Sequence, residues 1–264
     1  MGEENNPDKN IVVKSLKEIE IMHSANQIVA GVLNLMREKI VPGVTTEMLN
    51  SWAEQYCLDH KGIPAFKGYR GFPKSLCVSI NEEVVHGIPS KKIIVREGDI
   101  VSVDFGVKYK GFYGDAAITI PVGQVSDKIQ KLLDVTQESL NLAIEQVRVG
   151  NRIKDISNAI QGHVESHKFS VVRQFVGHGI GSNLHEGPEV PNYKVKQASP
   201  RLIEGMVLAI EPMVNIGTHK VKVLKDRWTV ITADRFPSAH FEHSVAVTNK
   251  GPFVLSELHS QFPN

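Results

Sequence analysis

Apolar residues recur at helical spacing in four stretches of the chain, with polar residues filling the positions between them. In the first stretch, residues 15–18 have the form of a capping box, and apolar side chains follow at three- and four-residue intervals as far as Met36. Pro42-Gly43 then ends this helix. Further helices are predicted from a cap at Thr45 or Thr46 to about Lys61, from Ser126 to about Val149 and from Ile153 to about His167.

Short apolar runs bounded by glycine and proline indicate strands in the remainder of the chain. One run extends from Leu76 to Ile80, another from Asp99 to Ile120, and strand-rich sequence fills residues 171–254. No Pro- or Ser-rich linker separates these segments, so a single domain of the α+β class is expected over residues 11–264. Residues 1–10 are polar and charged, and we expect them to form a disordered tail.

A faint internal echo links the two halves of the chain. An apolar strand that follows a Glu-Gly pair ends at Asp104, and the same pattern with the same spacing ends at Glu211. More loosely, Asp115 leads into one strand as Glu242 leads into another. Two matching pairs of carboxylates suggest pseudo-twofold halves that meet at a site.

Length, composition and charge exclude several classes of protein. For a chain of 264 residues, 41% hydrophobic and 22% charged residues are typical of a soluble globular protein. The net charge of +1 argues against a dedicated DNA-binding role, and no run approaches the ~18 apolar residues of a membrane span. Only two cysteines, Cys57 and Cys77, are present, which is typical of a reducing compartment and predicts a cytoplasmic protein.

Two of the acids, Asp104 and Asp115, flank a predicted turn between strands. A hairpin centred between Tyr109 and Lys110 would place them directly opposite each other on one face, with Cβ atoms ~5 Å apart. Two like charges at that distance repel by about 3 kcal/mol at an effective dielectric of about 20, so the pair needs a shared proton or a metal. Small side chains on the same face leave room above the carboxylates, which favours the metal.

Glu211 and Glu242 add two more acids in strand contexts. Four carboxylates carry a charge of −4, which two divalent cations would neutralise, with two acids bridging ions roughly 3.5–4 Å apart. This arrangement is hydrolytic, and oxygen-rich ligation with an imidazole suits Mn²⁺, Fe²⁺ or Co²⁺. Any one of these acids taken alone is better explained as a turn residue, a cap or a solvated strand end.

Three histidines lie in glycine or carboxylate contexts that favour a functional role. His178 alternates with glycines in residues 177–181, His185 precedes Glu-Gly-Pro, and His86 precedes Gly-Ile-Pro. Each of them can equally be a satisfied structural histidine. His163 and His167 have the spacing of a helical metal chelate, but no Glu follows His163, so we expect them on an exposed face.

Taken in order, these acids and histidines resemble the type I methionine aminopeptidases, and the similarity covers nearly everything after residue 10. The short runs that carry it are residues 71–77, 81–89, 177–181, 211–212 and 241–243. The resemblance implies the pita-bread fold, in which two pseudo-twofold-related halves of curved antiparallel sheet are covered by helices. It also implies a catalytic metallopeptidase domain that removes N-terminal methionine from nascent chains whose second residue is small.

The resemblance implies five metal ligands and two divalent ions, which would be Co²⁺, Mn²⁺, Fe²⁺ or Zn²⁺. Asp104 and Asp115 would bind one ion. Asp115 and Glu242 would bridge to the second ion, which His178 and Glu211 would complete. The ions would lower the pKa of the attacking water and polarise the scissile carbonyl.

The resemblance also implies roles for three residues in catalysis. Glu211 would shuttle the proton of the attacking water. His185 would help to stabilise the developing oxyanion, and His86 would hydrogen-bond the peptide nitrogen next to the scissile bond.

A pocket for the methionine side chain would be apolar, with aromatic rings and a thiol against the thioether. Its walls would be Tyr69, Phe72, Cys77 and Trp228, with Phe66 nearby. The sequence departs from the family pattern at several places. Phe66 and Phe72 stand where some members have Cys and Tyr, Leu184 where some have an aromatic residue, and His240 where a Gln is usual.

Three alternatives remain. A prolidase or Xaa-Pro aminopeptidase of the same fold would keep the same five ligands, although such relatives carry an extra N-terminal domain and only 103 residues precede Asp104 here. A non-enzymatic pita-bread binding protein would have lost its ligands, whereas all five positions are filled. A glycosidase would use paired acids but would leave the histidines without a role.

The last expectations concern the binding partners of the protein. The resemblance implies the N-terminal methionine of nascent polypeptides as substrate and raises a transient contact with the ribosome, which a net charge of +1 neither supports nor opposes. We expect a monomer that binds neither DNA nor membranes.

Overall fold

The computed structural model describes residues 11–258 and residue 262, and the predicted tail at residues 1–10 lies outside this part of the chain. The described residues form four α-helices, fifteen strands and a 3₁₀ turn at Tyr69–Gly71. The helices are α1 (Leu16–Lys39), α2 (Thr46–Asp59), α3 (Asp127–Glu145) and α4 (Ile153–Ser166). The strands are β1 (Ile63–Pro64), β2 (Cys77–Ile80), β3 (Glu83–Val85), β4 (Ile100–Tyr109), β5 (Phe112–Pro121), β6 (Ser170–Val171), β7 (Gly177–Gly179), β8 (Glu186–Val190), β9 (Val207–Ile210), β10 (Met213–Asn215), β11 (Val221–Val223), β12 (Val230–Thr232), β13 (Ser238–His240), β14 (His243–Thr248) and β15 (Gly251–Val254).

Side-chain caps begin the helices where the sequence predicts them. The Ser15 hydroxyl accepts from the Glu18 amide at 3.4 Å, and the Glu18 carboxylate accepts from the Ser15 amide at 2.7 Å, which completes the capping box. Thr45 and Ser126 cap α2 and α3 with their hydroxyls. Each such cap stabilises its helix by about 1 kcal/mol.

Helix α3 ends at Glu145, earlier than the predicted end near Val149. The Gln146 amide donates to the Ala143 carbonyl at 3.0 Å, which tightens the last turn. The Arg148 Nε donates to the Glu145 carbonyl at 3.0 Å. A side chain therefore satisfies a terminal carbonyl that a further helical turn would otherwise have satisfied.

The strands form antiparallel pairs in four sheets. In the first half, β4 pairs with β1, β2 and β5. In the second half, five strands follow the order β15-β14-β9-β7-β8. Two three-stranded sheets, β13-β10-β6 and β11-β12-β3, complete the arrangement. The mixture of helices with antiparallel sheets confirms the α+β class.

The hairpin between β4 and β5 differs from the predicted one by two residues. Tyr109 pairs with Phe112, so the turn is Lys110-Gly111, whose φ angles of 47° and 90° are those of a two-residue hairpin turn. Asp104 therefore lies opposite Ala117, and the prediction that it lies directly opposite Asp115 was wrong. A shift of two residues leaves both acids on the same face.

The two halves meet along a short seam. The Glu242 amide donates to the Ala117 carbonyl at 2.9 Å, which joins the two halves beside the acids. Ile210 pairs with His243, so Glu211 follows and Glu242 precedes the last paired residues of β9 and β14.

Helices cover the sheets with their apolar faces. α1 packs on β4 and β5, while α3 and α4 pack together and α3 also contacts β10 and β13. A cluster of buried apolar residues spans both halves and includes Phe105, Leu140 and Leu208. Each fully buried side chain of this kind stabilises the fold by roughly 1.5–3 kcal/mol. Among the described residues, no helix is both long and apolar enough to cross a bilayer.

Two glycines on β7, an interior strand of the five-stranded sheet, allow close backbone approach around His178. A Cβ on Gly177 would overlap the carbonyl oxygen of Ala209 on β9, and one on Gly179 would overlap that of Gly187 on β8. Backbone atoms cannot move aside cheaply, so no other residue type fits these positions.

We expect Gly179→Ala to lower the free energy of unfolding by about 2 kcal/mol or more, because the new methyl group forces β7 away from β8. Gly162→Ala is the matched control. Gly162 lies in α4 with open space around it, so its replacement stabilises the helix by up to about 1 kcal/mol. Urea unfolding measures both variants, and equal midpoints for Gly179→Ala and the unmodified chain would refute the account.

Candidate metal centre

The predicted site residues come together around one cavity of about 140 Å³. The predicted ligands reach it from strands of both halves: Asp104 on β4, Asp115 on β5, His178 on β7, Glu211 just after β9 and Glu242 between β13 and β14. The remaining predicted residues that line it are Phe66, Tyr69, Phe72, Cys77, His86, His185 and Trp228.

Three of the predicted ligands form a compact group. One ligand atom each of Asp115, His178 and Glu242 lies within 4.8 Å of the others, and all three residues are buried. Glu211 joins them through His178, whose Nε2 lies 3.8 Å from Glu211 Oε1. Two carboxylates and an imidazole at these distances match the donor set that divalent transition metals take.

Burial keeps the four carboxyl groups from ionising easily. It raises the pKa of Asp104 to about 7 and that of Glu211 to about 8. Burial, followed by the charges of neighbouring acids, raises the pKa values of Asp115 and Glu242 well above their usual range. A carboxyl group in this cavity is therefore stable only when it is protonated or when a cation lies beside it.

Unpartnered oxygens supply an independent test of whether a cation fits. Asp104 Oδ1, Asp115 Oδ1 and Glu242 Oε1 are buried and have no hydrogen-bond partner within the described part of the chain. Buried polar atoms without partners are costly, and acceptor oxygens that face one another cannot satisfy each other when ionised. The residues present thus fit a site for divalent cations.

His178 is oriented as a ligand. Its Nδ1 lies 2.9 Å from the Gly179 carbonyl oxygen, which can only accept, so Nδ1 carries the proton and Nε2 presents a lone pair. Burial lowers the pKa of His178 to about 3, so the imidazole stays neutral near pH 7. A neutral imidazole with a free Nε2 is the form that binds metals.

Main-chain contacts fix two of the acids where the halves meet. The Ser244 hydroxyl on β14 donates to the Asp115 carbonyl of β5 at 2.8 Å. The Glu242 amide donates to Ala117 of β5. Since both contacts use backbone atoms, they hold the positions of Asp115 and Glu242 whatever their side chains bind.

Two further histidines line the cavity beside the acids. The His185 Nδ1 lies 2.9 Å from the Tyr69 hydroxyl, and the His185 ring centroid lies 4.2 Å from that of His178. His86 follows β3 with a left-handed φ of 60°, and its ring meets Phe175 and Trp228 edge to face. Burial lowers the pKa of His86 to about 4 and also lowers that of His185. Both imidazoles are therefore neutral near pH 7.

An apolar pocket adjoins the acids. Phe72 and Cys77 are 3% and 4% exposed, and the Phe72 ring meets that of Trp228 edge to face at 5.1 Å. Phe66 occupies the space that a side chain at position 106 would need, which explains why β4 carries Gly106 there. Burial and the nearby charge of Asp104 raise the pKa of the Cys77 thiol well above its usual range, so the thiol stays protonated.

Two residues with no role assigned from the sequence also reach the site. Arg70 lines the cavity with a left-handed φ of 49° and is exposed at its rim. His240 Nε2 lies 3.5 Å from Glu211 Oε2. The signal for His240 was available, because side chains two positions apart on a strand face the same way and Glu242 follows it at that spacing.

The expectation that His163 and His167 lie on an exposed face was wrong. Both are half-buried, and their ring centroids are 4.6 Å apart. Glu138 of α3 lies against His163, with Oε2 3.3 Å from Nε2. The packing of α3 on α4 covers this face, and helical spacing within α4 alone does not reveal that.

Known proteins resemble the chain in sequence and in structure. The model of Metallopeptidase family M24 matches residues 20–249. A methionine aminopeptidase of Clostridium acetobutylicum is 50% identical over 246 residues, which cover 93% of this chain and 98% of that protein.

Solved structures show the same architecture. The crystal structure of methionine aminopeptidase from Thermotoga maritima has a TM-score of 0.92 at 45% identity and covers 94% of this chain and 100% of that chain. Prolidase from Pyrococcus furiosus is 23% identical with a TM-score of 0.76, and the match covers 96% of this chain and 67% of the prolidase. The expected pita-bread fold is confirmed.

We expect the metal-stripped protein to lose stability as the pH rises from about 6.5 to about 8.5. The folded state keeps protons on Asp104 and Glu211, with pKa values of about 7 and about 8, that the unfolded chain releases near its usual pKa of about 4. Each retained proton lowers the free energy of unfolding by roughly 1.4 kcal/mol per pH unit until the pH reaches the folded pKa of its group, above which that contribution levels off. The lowered pKa values of the histidines act with the opposite sign, but only below about pH 6.5.

Urea unfolding across this pH range measures the effect, with Asp115→Asn as the comparison because it removes one of the acids. Its profile should be flatter, and saturating Mn²⁺ should remove most of the slope for the unmodified chain. A stability that is constant or rises over the window would contradict the burial of these acids.

Proposed function

The chain belongs to metallopeptidase family M24 and, within it, to the methionine aminopeptidases, and we propose that it releases N-terminal methionine from nascent polypeptides whose second residue is small. The observation that carries this proposal is the contact between a buried carboxylate cluster and an apolar pocket in one cavity. The cluster suits hydrolysis, and the pocket suits a single apolar side chain next to the cleaved bond.

Membership of the family implies use of divalent metal, and five residues are proposed to hold it. These ligands are Asp104, Asp115, His178, Glu211 and Glu242. Four carboxylates balance two divalent ions in charge, so we propose two ions per chain, drawn from Co²⁺, Mn²⁺, Fe²⁺ and Zn²⁺. A bound divalent ion lowers the pKa of water and polarises a carbonyl oxygen.

Glu211 is proposed to move the proton. Its carboxyl group lies at the cluster, with Oε1 near His178 and Oε2 near His240. From this position it can take a proton from the attacking water and deliver it to the leaving amine. Its backbone is held by Asn192, whose amide donates to the Glu211 carbonyl at 2.9 Å.

His185 is proposed to stabilise the developing oxyanion. When the Tyr69 hydroxyl donates to Nδ1, the single proton of the neutral imidazole lies on Nε2. Nε2–H is then a donor on the side away from Tyr69. The Tyr69 ring stacks on His185, with centroids 5.3 Å apart, and limits its rotation.

His86 is proposed to hydrogen-bond the peptide nitrogen beside the scissile bond. The loop that carries it is fixed by Gly87, whose amide donates to the Ser79 hydroxyl at 3.1 Å and whose carbonyl accepts from the Val78 amide at 3.0 Å. A Cβ at position 87 would overlap the Val78 carbonyl, so only glycine allows this approach. The left-handed backbone of His86 is thus held by its neighbours.

The methionine side chain is proposed to enter the pocket of Tyr69, Phe72, Cys77, Trp228 and Phe66. Aromatic faces and a protonated thiol offer soft, apolar contacts to a thioether. Identity of 45–50% to methionine aminopeptidases, against 23% to a prolidase of the same fold, favours methionine over proline-directed cleavage.

The two cysteines support a proposal for the cellular compartment. Both cysteines are buried and free, which supports a reducing compartment and hence the cytoplasm. A monomer and a transient contact with the ribosome stay predictions.

The test is release of free methionine from Met-Gly-Met-Met and cleavage of an Ala-Pro-led peptide, with stripped protein before and after addition of Co²⁺ or Mn²⁺. We expect metal-dependent cleavage of the methionine peptide alone. Cleavage of the Ala-Pro peptide alone would assign a proline-specific peptidase, and cleavage of neither would assign a binding protein.

In the same assay, Glu211→Gln and His178→Ala should lower turnover at least about 100-fold with unchanged circular dichroism. The matched control is Glu189→Gln on β8, an exposed position opposite His178 that does not line the cavity. Normal turnover by either site variant would remove Glu211 or His178 from the mechanism.

We expect His86→Ala to lower kcat at least about tenfold while the metal content stays unchanged, because His86 contacts the substrate and not the metal in this proposal. Metal analysis of the purified variant, alongside steady-state kinetics, separates these effects. Loss of bound metal would instead make His86 a ligand.

A further inference from the structure

His240 is a buried group at the cluster to which the proposed mechanism gives no role. It ends β13, two positions before Glu242, and is 1% exposed. Its Nε2 is buried with no hydrogen-bond partner in the described part of the chain, and it lies 3.5 Å from Glu211 Oε2. A buried imidazole nitrogen without a partner is costly, so its place beside a carboxylate calls for a physical account.

The backbone of His240 is clamped from both sides. Its amide donates to the Thr119 hydroxyl at 2.9 Å, and the same hydroxyl donates back to the His240 carbonyl at 2.8 Å. The Ser102 hydroxyl lies 2.8 Å from that of Thr119, and His240 pairs with Met213 of β10. The imidazole therefore starts from a fixed point on the sheet that borders Glu211.

Two imidazoles flank the Glu211 carboxyl group, and they differ in chemistry. His178 Nε2 lies 3.8 Å from Oε1 and presents a lone pair, because its proton is on Nδ1. When Glu211 is ionised as a metal ligand, a lone pair of His240 facing Oε2 would repel that oxygen, whereas an Nε2–H would attract it. The electrostatics of the contact favour the tautomer of His240 with its proton on Nε2.

We propose that His240 is a positioning residue, which donates its Nε2–H to Oε2 of Glu211 and so directs Oε1 toward His178 and the other ligands. The separation of 3.5 Å exceeds the usual 2.7–3.2 Å of such a bond, so the proposal requires the Glu211 carboxylate to move closer to His240 when it serves as a ligand. Partners of this kind, hydrogen-bonded to ligating carboxylates, set ligand orientation and commonly alter metal affinity 10- to 100-fold. The inference rests on the proposed role of Glu211 as a ligand.

The competing assignment is that His240 is itself a metal ligand. All five proposed ligands line the cavity, whereas His240 is not among the described residues that line it. The contact of His240 is with Glu211 instead. The geometry thus favours an indirect role.

The test compares His240→Gln with His240→Asn in the full chain. A Gln amide nitrogen is as many bonds from the backbone as His Nε2 and keeps a donor there, whereas an Asn amide ends one bond short. Titration of the stripped protein with Co²⁺, followed by calorimetry and visible absorption, gives affinity and stoichiometry. We expect His240→Asn to lower Co²⁺ affinity 10- to 100-fold with unchanged stoichiometry. The Co²⁺ affinity of His240→Gln should stay within threefold of that of the unmodified chain.

His243→Gln is the matched control. His243 is a half-buried neighbour on β14 whose Nδ1 bonds the Ser256 hydroxyl at 2.7 Å, outside the cavity. His243→Gln should leave Co²⁺ affinity unchanged. Unchanged affinity in His240→Asn, or equal losses in the Asn and Gln variants, would overturn the proposal, and loss of one bound Co²⁺ from both would make His240 a ligand.

A double-mutant cycle separates positioning from damage to the fold. If His240 acts through Glu211, His240→Asn should change Co²⁺ affinity no further in a Glu211→Gln background. Additive losses would overturn the proposal. In kinetics with Met-Gly-Met-Met, His240→Asn should lower kcat while KM stays within twofold of that of the unmodified chain. His240→Gln should keep kcat close to that of the unmodified chain.

The Co²⁺ isotherms do not depend on which peptide is cleaved. Tight Co²⁺ binding by a protein that releases no methionine would therefore refute the proposed function while the isotherms of the variants still decide the role of His240.

Discussion

Four carboxyl groups share one buried cavity, and their mutual repulsion is the constraint on which the rest of the site depends. Burial raises the pKa values of all four, and the charges of neighbouring acids raise those of Asp104, Asp115 and Glu242 further. His86 and His178 stay neutral for the same reason, because burial lowers their pKa values. A site that penalises every protein charge in this way becomes favourable only when a multivalent cation enters it.

The scaffold holds this unfavourable cluster in place through backbone contacts. Ser244 binds the Asp115 carbonyl, Glu242 binds the Ala117 carbonyl, and Thr119 clamps His240 at both its amide and its carbonyl. These bonds cross between strands of the two halves. The acids are thus kept together by hydrogen bonds that do not involve their side chains, and the side chains remain free to bind.

Much of the fold was predictable because local chemistry decides it. The caps at Ser15, Thr45 and Ser126 lie where the sequence predicts them. The hairpin register was not predicted, since a turn of Lys110-Gly111 displaces the pairing by two residues while the alternation of faces stays the same. The wrong register therefore still placed Asp104 and Asp115 on the same face.

For the site, resemblance to a family supplied the ligand set and the pocket, and the structure brings those residues to one cavity. Spacing could not supply contacts that arise only from tertiary packing. His240 meets Glu211 across two strands, and His163 meets Glu138 across two helices. Arg70 reaches the cavity through a left-handed backbone conformation that no periodic pattern encodes.

The thiol of Cys77 lies in the same cavity as the acids, directly opposite Asp104 across β2 and β4. The negative charge beside it and its burial keep it protonated, and peroxide attacks thiolates far faster than thiols. Burial first, and the neighbouring acids second, therefore keep this sulfur in its less reactive form. A buried, protonated thiol of this kind is expected to react with peroxide more slowly than an exposed cysteine does.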